Sequence, residues 1–266
     1  MAPLTRLDHV VIAVRNLDTA AATYRKLGLT LTPRGLHEGK GTGNHCIMFP
    51  NTYVELLGIV DEAGAKGRLA ERVNARGEGC IGIAYGADDA DKTYAALQAA
   101  GIEAEPPNDL SRPLDLDGKR DMVRFRNIML PKLALPETMQ FVCTHATPEL
   151  TRARHEWQLH PTGATGVAEV IVAVDDVEAA TRELAGPKLT NSAITLLTPA
   201  EAEHRFGKSL QGSPTHGIVA LTIRVNEPDA AAAMLSMAKV PHFETRNTVT
   251  VPAHAAHGVV IEFVEI

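Results

Sequence analysis

A strand-then-helix pattern of hydrophobic and polar positions recurs four times along the chain. Each copy starts with a short β-branched run, continues through an acidic or Asn-containing turn, and ends in an Ala-rich amphipathic stretch. The copies span residues 7–28, 80–101, 167–186 and 219–240. The β-branched runs predict strands and the Ala-rich stretches predict helices. Because a repeat superimposes equivalent positions, it indicates where paired modules could place side chains around a shared cavity.

The segments that follow each helix predict further strands. The first copy predicts a strand at 7–14, a helix at 19–27 and strands at 29–33, 45–49 and 53–60. The second predicts a strand at 80–86, a helix at 88–100 and strands at 102–105, 121–129 and 137–144. The fourth predicts a strand at 218–225, a helix at 228–239 and strands at 242–246, 248–252 and 258–265. In the weaker third copy, residues 194–210 predict a strand and a short helix. Three successive strands imply antiparallel pairing, so we predict the α+β class.

Length and composition indicate the number of domains and the classes of partner that are not expected. A chain of 266 residues favours two domains, and the polar, turn-rich stretch between copies two and three predicts a linker. We therefore expect domains at 1–148 and 166–266, joined by a linker at 149–165. The formal net charge of -6 gives no general attraction to nucleic acid or to an anionic membrane. No apolar stretch approaches the length of a membrane span. Three cysteines without CxxC spacing predict no disulfide framework and a cytoplasmic location.

At this level of detail the chain resembles the vicinal-oxygen-chelate superfamily, which includes glyoxalase I, extradiol dioxygenases and bleomycin-resistance proteins. More narrowly, it is similar to glyoxalase-like proteins with a GxHxGxGTxN stretch. That stretch is formed here by Gly35, His37, Gly39, Gly41, Thr42 and Asn44, and YVEL follows at 53–56. The segment HPTGATG at 160–166 fits the start of such a family's second half. The resemblance implies tandem βαβββ modules, four here with the third degenerate, that form two cupped mixed-sheet domains.

The resemblance also implies a metal site on the first and last strands of paired modules. His9 and Glu55 occupy those strands in the first module, and superimposing the copies adds Cys80 and Gln140 from the second. Imidazole, carboxylate and thiolate are good ligands for a divalent ion such as Zn, Ni, Mn or Fe. The alternatives are a hydrogen-bonded structural histidine at His9, a small buried hydrophobe at Cys80, and a Gln140 that binds the ligand directly.

The Gly-rich stretch predicts substrate contacts, because glycine lets the backbone approach a ligand closely. We expect His37, Thr42, Asn44 and His45 to bind the substrate, with His45 as a reserve metal ligand. A plain flexible loop is the alternative. In the second half the equivalent positions carry Glu169, Ala220 and Glu262, a set without histidine that argues against extradiol dioxygenase chemistry.

The resemblance therefore predicts a small-molecule lyase or isomerase of the glyoxalase type. A divalent metal would chelate two vicinal oxygens and stabilise an enediolate-like intermediate, with Glu55 as a ligand or general base. The alternative is a metal-free protein that sequesters a small molecule, as bleomycin-resistance proteins do. A third possibility is that the second half is purely structural and supplies a lid or the face of a homodimer.

Overall fold

The computed structural model describes residues 6–61, 63–131, 135–185 and 193–265. Its first module consists of β1 (Arg6–Val14), α1 (Leu17–Lys26), β2 (Gly35–His37), β3 (Thr42–Met48) and β4 (Tyr53–Ile59). Asn16 begins α1 by accepting a hydrogen bond from the backbone N–H of Thr19. Helix α1 ends before Gly28, which adopts a φ of +72°. β4 returns beside β1 in parallel, and β3 and β2 follow as antiparallel neighbours.

The second module repeats this order after a short helix, α2 (Arg68–Arg76). It consists of β5 (Gly79–Gly86), α3 (Ala90–Ala99), β6 (Asn108–Leu116), β7 (Lys119–Met129) and β8 (Met139–His145). β8 lies parallel to β5, and β6 and β7 form a long antiparallel hairpin. The predicted βαβββ order is therefore confirmed in both modules of the first half.

The second half contains one abbreviated and one complete module. A short helix, α4 (Pro148–Thr151), precedes the elements β9 (Ala164–Ala173), α5 (Val177–Ala185), β10 (Ile194–Leu197) and α6 (Pro199–Phe206). The last module consists of β11 (Gly217–Val225), α7 (Pro228–Met237), β12 (Phe243–Glu244), β13 (Thr248–Val251) and β14 (Val260–Val264). The third module was predicted to be degenerate. Outside residues 186–192, which the structure does not describe, it shows one strand and a capped helix after α5, where the others show three strands.

Within the described residues all 14 strands belong to one sheet. β1 pairs with β5 in antiparallel fashion, β9 pairs with β11 in the same way, and one residue pair, Cys80 with Ile218, joins the two halves. In the first half β2 packs beside β6, so the strands of the two modules surround a common interior. We call this interior the cup. The α+β class and the cupped mixed sheet are confirmed.

Side chains on the two faces of the sheet form different environments. The helix-covered face carries a large apolar core to which both halves contribute, for example Val10 and Tyr85 from the first half and Phe263 from the second. Two smaller apolar clusters line the cup, one around Val11 and Phe141 and the other around Tyr53, Cys46 and Trp157. The polar site described below lies between these two clusters.

The segment predicted as a linker packs on the first half. Arg152 donates to the carbonyl oxygens of Phe49 and Pro50, and His160 bonds to the carbonyl of Met48 through Nε2 at 2.9 Å. The division at 148 and 166 stays a prediction. Among the described residues, none of the helices combines the length and the apolar character that crossing a bilayer requires.

Two strands lie later in the chain than the sequence predicts. Residues 29–33 form no strand, and β2 follows them at 35–37; Pro33, which lacks a backbone N–H, interrupts the predicted strand. Residues 102–105 form no strand either, because Pro106 and Pro107 follow, and β6 occupies the stretch predicted as a polar insertion. Pro113 is tolerated within β6 because β6 hydrogen-bonds on one side only, to β7. The sequence analysis did not predict α2.

Candidate active site in the first-half cup

A β-bulge at the start of β1 determines the position of the first polar residues. Leu7 pairs with Tyr85 and His9 with Ala84, so the register shifts at Asp8. Bulges of this kind re-aim side chains, and here the neighbouring side chains of Asp8 and His9 reach the same polar cluster. Both residues are buried.

Asp8 bridges two histidines. Its Oδ1 lies 2.8 Å from Nδ1 of His9 and 3.0 Å from Nε2 of His145, which projects from the end of β8. Burial opposes ionisation of Asp8, but the hydrogen bonds and charges of His145 and His9 outweigh it and hold the pKa of Asp8 well below its ordinary value. An ionised Asp8 only accepts hydrogen bonds, so Nδ1 of His9 carries a proton. In the neutral ring Nε2 is then the atom with a free lone pair.

The imidazole of His9 is held in place on both of its faces. It stacks on Tyr53 with ring centroids 4.3 Å apart and meets Phe141 edge-on at 5.4 Å. In this orientation Nε2 of His9 lies 3.9 Å from Oε2 of Glu55. Contacts on every side therefore aim one nitrogen of the ring at a carboxylate.

Glu55 is held by a separate contact. Its Oε1 accepts a hydrogen bond of 2.6 Å from Nδ2 of Asn44, on the neighbouring strand β3. The Glu55 side chain is 16% exposed, so solvent reaches the carboxylate. His9 and Glu55 thus share one arrangement: a neighbour binds one polar atom of each, and the remaining atom faces the other residue.

The other predicted substrate-binding residues divide between the two faces of the sheet. Nδ1 of His37 lies 3.0 Å from Oγ1 of Thr42 across the β2–β3 ladder. Burial lowers the pKa of His37, the charge of Glu55 opposes this, and Lys40 and Arg112 lower it further. Those electrostatic interactions indicate that His37 lies near the Glu55 carboxylate.

His45 points away from the cup. On β3 it alternates with Asn44, and its Nδ1 bonds to the carbonyl oxygen of Thr32 at 2.8 Å. Burial lowers the pKa of His45, and the hydrogen bond to Thr32 only partly opposes that effect. The structure therefore brings His37, Thr42 and Asn44 together with Glu55 and leaves His45 outside.

Cys80 and Gln140, the two ligands expected from the second module, also lie outside the cup. A register shift pairs Cys80 with Ile12, and the thiol belongs to the helix-covered core. Burial raises the pKa of the Cys80 thiol to about 12, as expected of a small buried side chain. Gln140 accepts a hydrogen bond of 2.8 Å from the hydroxyl of Tyr85, on the same helix-covered face.

Strand register explains why the sequence alignment misplaced the second pair. Val11 pairs with Glu55 in the first module, and its counterpart Gly82 pairs with Met139 in the second. Met139 is therefore the register equivalent of Glu55, one residue before Gln140. The predicted four-residue set is not assembled; the cup receives His9 and Glu55 from the first module only.

Three further polar residues of the cup were absent from the sequence prediction. Asp8 and His145 form the hydrogen-bonded group described above, and with Cys143 they offer three potential ligand atoms within 4.8 Å of one another. The third is Arg112 of β6, which is 8% exposed. One pattern in the sequence could have identified Arg112. Leu110, Arg112, Leu114 and Leu116 alternate with other residues, which places an arginine on the apolar face of a strand.

In the second half an arginine lies between the equivalent carboxylates. One Nη atom of Arg205, from α6, is 2.8 Å from Oε2 of Glu169 and 2.9 Å from Oε2 of Glu262. The hydroxyl of Thr222 lies 3.2 and 3.1 Å from the same two oxygens. Arg205 therefore offsets one of the two carboxylate charges and binds both carboxylates, and we place no reaction there.

Comparison with known proteins identifies the family. The chain belongs to the glyoxalase-like domain family, whose model matches residues 7–187, and the resemblance to the vicinal-oxygen-chelate superfamily is confirmed. No curated protein sequence matches the chain significantly. The family and the fold together support a role as a small-molecule enzyme or binding protein.

The chain was also compared with solved structures, and the similar ones have low sequence identity. A hypothetical protein from Staphylococcus aureus is 12% identical over 98% of this chain and 99% of that chain, with a TM-score of 0.67. Methylmalonyl-CoA epimerase from Mycobacterium tuberculosis is 23% identical over 55% of this chain and 92% of that chain, with a TM-score of 0.42. The TM-score of 0.67 over nearly the whole chain shows a shared fold with the Staphylococcus aureus protein, and the low identity leaves the reaction open.

The chemistry of the donor atoms fits a divalent cation with two protein ligands. Nε2 of His9 and Oε2 of Glu55 both carry lone pairs and face each other at 3.9 Å. Two such atoms repel unless a proton or a cation lies between them. Imidazole with carboxylate suits Zn, Ni, Mn or Fe, and the remaining coordination positions would be left to water and substrate.

Proposed function

We propose that the first-half cup binds a small molecule with two adjacent oxygens and catalyses proton transfer on it, as a lyase or isomerase. The observation that carries the proposal is the opposed pair of His9 and Glu55, each held by a neighbour and each presenting one acceptor atom to the other. Such preorganised geometry is what proton transfer near neutral pH requires.

Each residue has a defined part in this proposal. His9 and Glu55 would hold a divalent ion, which when bound polarises the substrate oxygens as a Lewis acid. To act as the base, Oε2 of Glu55 would leave the ion and take the proton from the hydroxyl-bearing carbon beside a carbonyl group. It would return that proton to the carbonyl carbon, while the hydroxyl proton passes to the former carbonyl oxygen, which converts one isomer into the other. Asp8 would keep His9 in its tautomer, and Asn44 would keep Glu55 in place. Tyr53 and Phe141 would exclude water from one side of the reaction.

A metal-free binding protein is the second candidate, and one observation favours it. In the second module Met139 occupies the position equivalent to Glu55, and Cys80, the equivalent of His9, lies in the helix-covered core, so the cup keeps two of the four predicted ligands. In this case protonated His9 would lie against Glu55, and the cup would sequester its ligand without reaction.

Metal analysis of the full-length protein separates the two candidates. Protein from cells grown with added Zn, Ni, Mn or Fe is dialysed and measured by mass spectrometry, alongside His9→Ala and Glu55→Gln. We expect close to one ion per chain in the parent and a large loss in both variants. The matched controls are His155→Ala and Glu149→Gln, since both side chains are exposed outside the cup.

Proton transfer is measured separately by deuterium exchange in D2O. The NMR signal of the C–H beside the carbonyl of hydroxyacetone should decay with the parent and the two controls, and persist with Glu55→Gln. Absence of a stoichiometric metal in the parent contradicts the metal-dependent proposal. If the parent protein binds the ligand but catalyses no exchange when loaded with Zn, Ni, Mn or Fe, the sequestering protein is supported instead.

A further inference from the structure

Arg112 is a buried cation that has no partner among the described residues. The residue is 8% exposed, yet its guanidinium donates no hydrogen bond and joins no ion pair within the described part of the chain. The guanidinium nitrogens of Arg112 nevertheless keep some contact with solvent. A buried charge is costly unless it is paired, so an arginine in this state favours a partner other than the residues that the structure describes.

The guanidinium faces the polar residues of the proposed site. A Cβ atom placed on Gly35 would lie 3.0 Å from Nη1 of Arg112 and would overlap Oδ1 of Asn44. The guanidinium and the Asn44 amide therefore meet over the bare backbone of Gly35. Since Nδ2 of Asn44 bonds to Glu55, the polar groups form a continuous row from β6 through β3 and β4 to His9 on β1.

The position of Gly35 shows that this approach depends on the missing side chain. Any Cβ there would displace Asn44 and press on Arg112, so glycine leaves room for the arginine to reach the row. Arg112 stands at one end of the row and the His9–Glu55 pair at the other. A small molecule lying along the row would contact both ends at once.

We propose that Arg112 binds an oxyanion of the substrate, a carboxylate or a phosphate group, while the neighbouring oxygens of the same molecule lie at His9 and Glu55. This assignment rests on the proposed function for the second contact only. The planar guanidinium matches two oxygens of a carboxylate or phosphate with parallel N–H donors, which supplies both affinity and orientation. The substrate class is therefore a small oxygenated acid or a phosphate ester.

Calorimetric titration of the full chain with three probes tests the assignment. Pyruvate carries a carboxylate, pyruvamide is its uncharged counterpart, and inorganic phosphate represents the other oxyanion. We expect the affinity for pyruvate or for phosphate to fall about tenfold or more in Arg112→Gln, because a charge-assisted hydrogen-bond pair is lost. Pyruvamide should bind equally weakly to parent and variant. Arg124→Gln is the matched control, since Arg124 is an exposed arginine on the adjacent strand.

The titrations are performed with EDTA and repeated with Glu55→Gln, so that failure of the metal proposal does not mimic failure of this one. Binding of pyruvate identifies a carboxylate, and binding of phosphate identifies a phosphate group. Unchanged affinity of Arg112→Gln for both anions, or no binding by the parent up to about 50 mM, overturns the assignment.

Thermal unfolding of Arg112→Met gives an independent test. Replacing an unpaired buried charge with an apolar side chain of similar length should leave Tm unchanged or raise it. A fall in Tm of the kind that accompanies loss of a structural ion pair would show that Arg112 serves the fold, and would overturn the proposal.

Discussion

Replacing Asp8 with asparagine should destabilise the protein in a pH-dependent manner. The ionised carboxylate accepts hydrogen bonds from both His9 and His145, at 2.8 and 3.0 Å, in a buried site. Hydrogen bonds to a charged group contribute about 1.5–3 kcal/mol each. Asparagine keeps one acceptor oxygen and turns an N–H2 group towards the second imidazole, so we expect a loss of about 3 kcal/mol at pH 7. For a chain of this size Tm should fall by roughly 6–12 °C.

The pH dependence follows from the direction of the pKa shift. The folded-state pKa of Asp8 is depressed, so this carboxylate stabilises the fold above its unfolded pKa of about 3.9 and loses that contribution as pH falls towards the folded-state pKa. The asparagine that replaces it in the variant does not titrate. The gap in unfolding free energy between the parent and Asp8→Asn should therefore be widest at pH 6–8 and should narrow towards about pH 3.

Urea denaturation at a series of pH values measures this gap directly. Asp115→Asn serves as the control, because it makes the same chemical change at an exposed position on β6. The interpretation of Asp8 is refuted if Asp8→Asn is as stable as the parent at pH 7, or if the gap is constant from pH 7 to about pH 3.

Three further predictions concern the rest of the molecule. Arg205→Met should lower the free energy of unfolding by about 2–3 kcal/mol, because it leaves Glu169 and Glu262 close together without their cation. Adding Glu169→Gln and Glu262→Gln should restore most of this loss, as measured by urea denaturation. A triple variant as unstable as Arg205→Met would contradict the charge argument. Gly35→Ala should weaken binding in the cup by displacing Asn44, whereas Gly39→Ala, in open space, should cost only backbone strain; equal binding losses would contradict this. The three cysteines should resist Ellman's reagent at pH 8 until guanidinium chloride unfolds the chain. All three are buried, and burial raises the pKa of Cys46 and Cys80 to about 12. Rapid labelling of the native protein would refute this prediction.

Much of the architecture could be predicted from the sequence because the start of a module carries local signals for its strand, its helix and the end of that helix. The alternation in β1, the Asn16 cap and Gly28 are all readable within about two dozen residues. The β6 strand could not be placed in the same way, since its prolines and acidic residues are typical of a loop. Its long partner β7 and its position at the edge of the sheet make it a strand.

The site was predictable only where one module supplies it. His9 and Glu55 were predicted from the family resemblance, and the structure brings them face to face. Asp8 could not be added, because simple alternation places neighbours on opposite faces and a bulge overrides it. A bulge beside Cys80 and the register of β8 likewise removed the two ligands expected from the second module. One-residue shifts invert the face of a strand, and a sequence without its partner strands does not reveal them.

The guanidinium of Arg205 gives the two halves different relations to their surroundings. A side-chain cation is part of the chain, so Arg205 binds the carboxylates of Glu169 and Glu262 and offsets one of their two charges as soon as that half folds. Among the described residues no cationic side chain binds His9 and Glu55 in this way, so in the proposed function this pair takes its cation from the medium. The second-half site therefore does not depend on the metal content of the medium, whereas occupancy of the proposed first-half site would change with it.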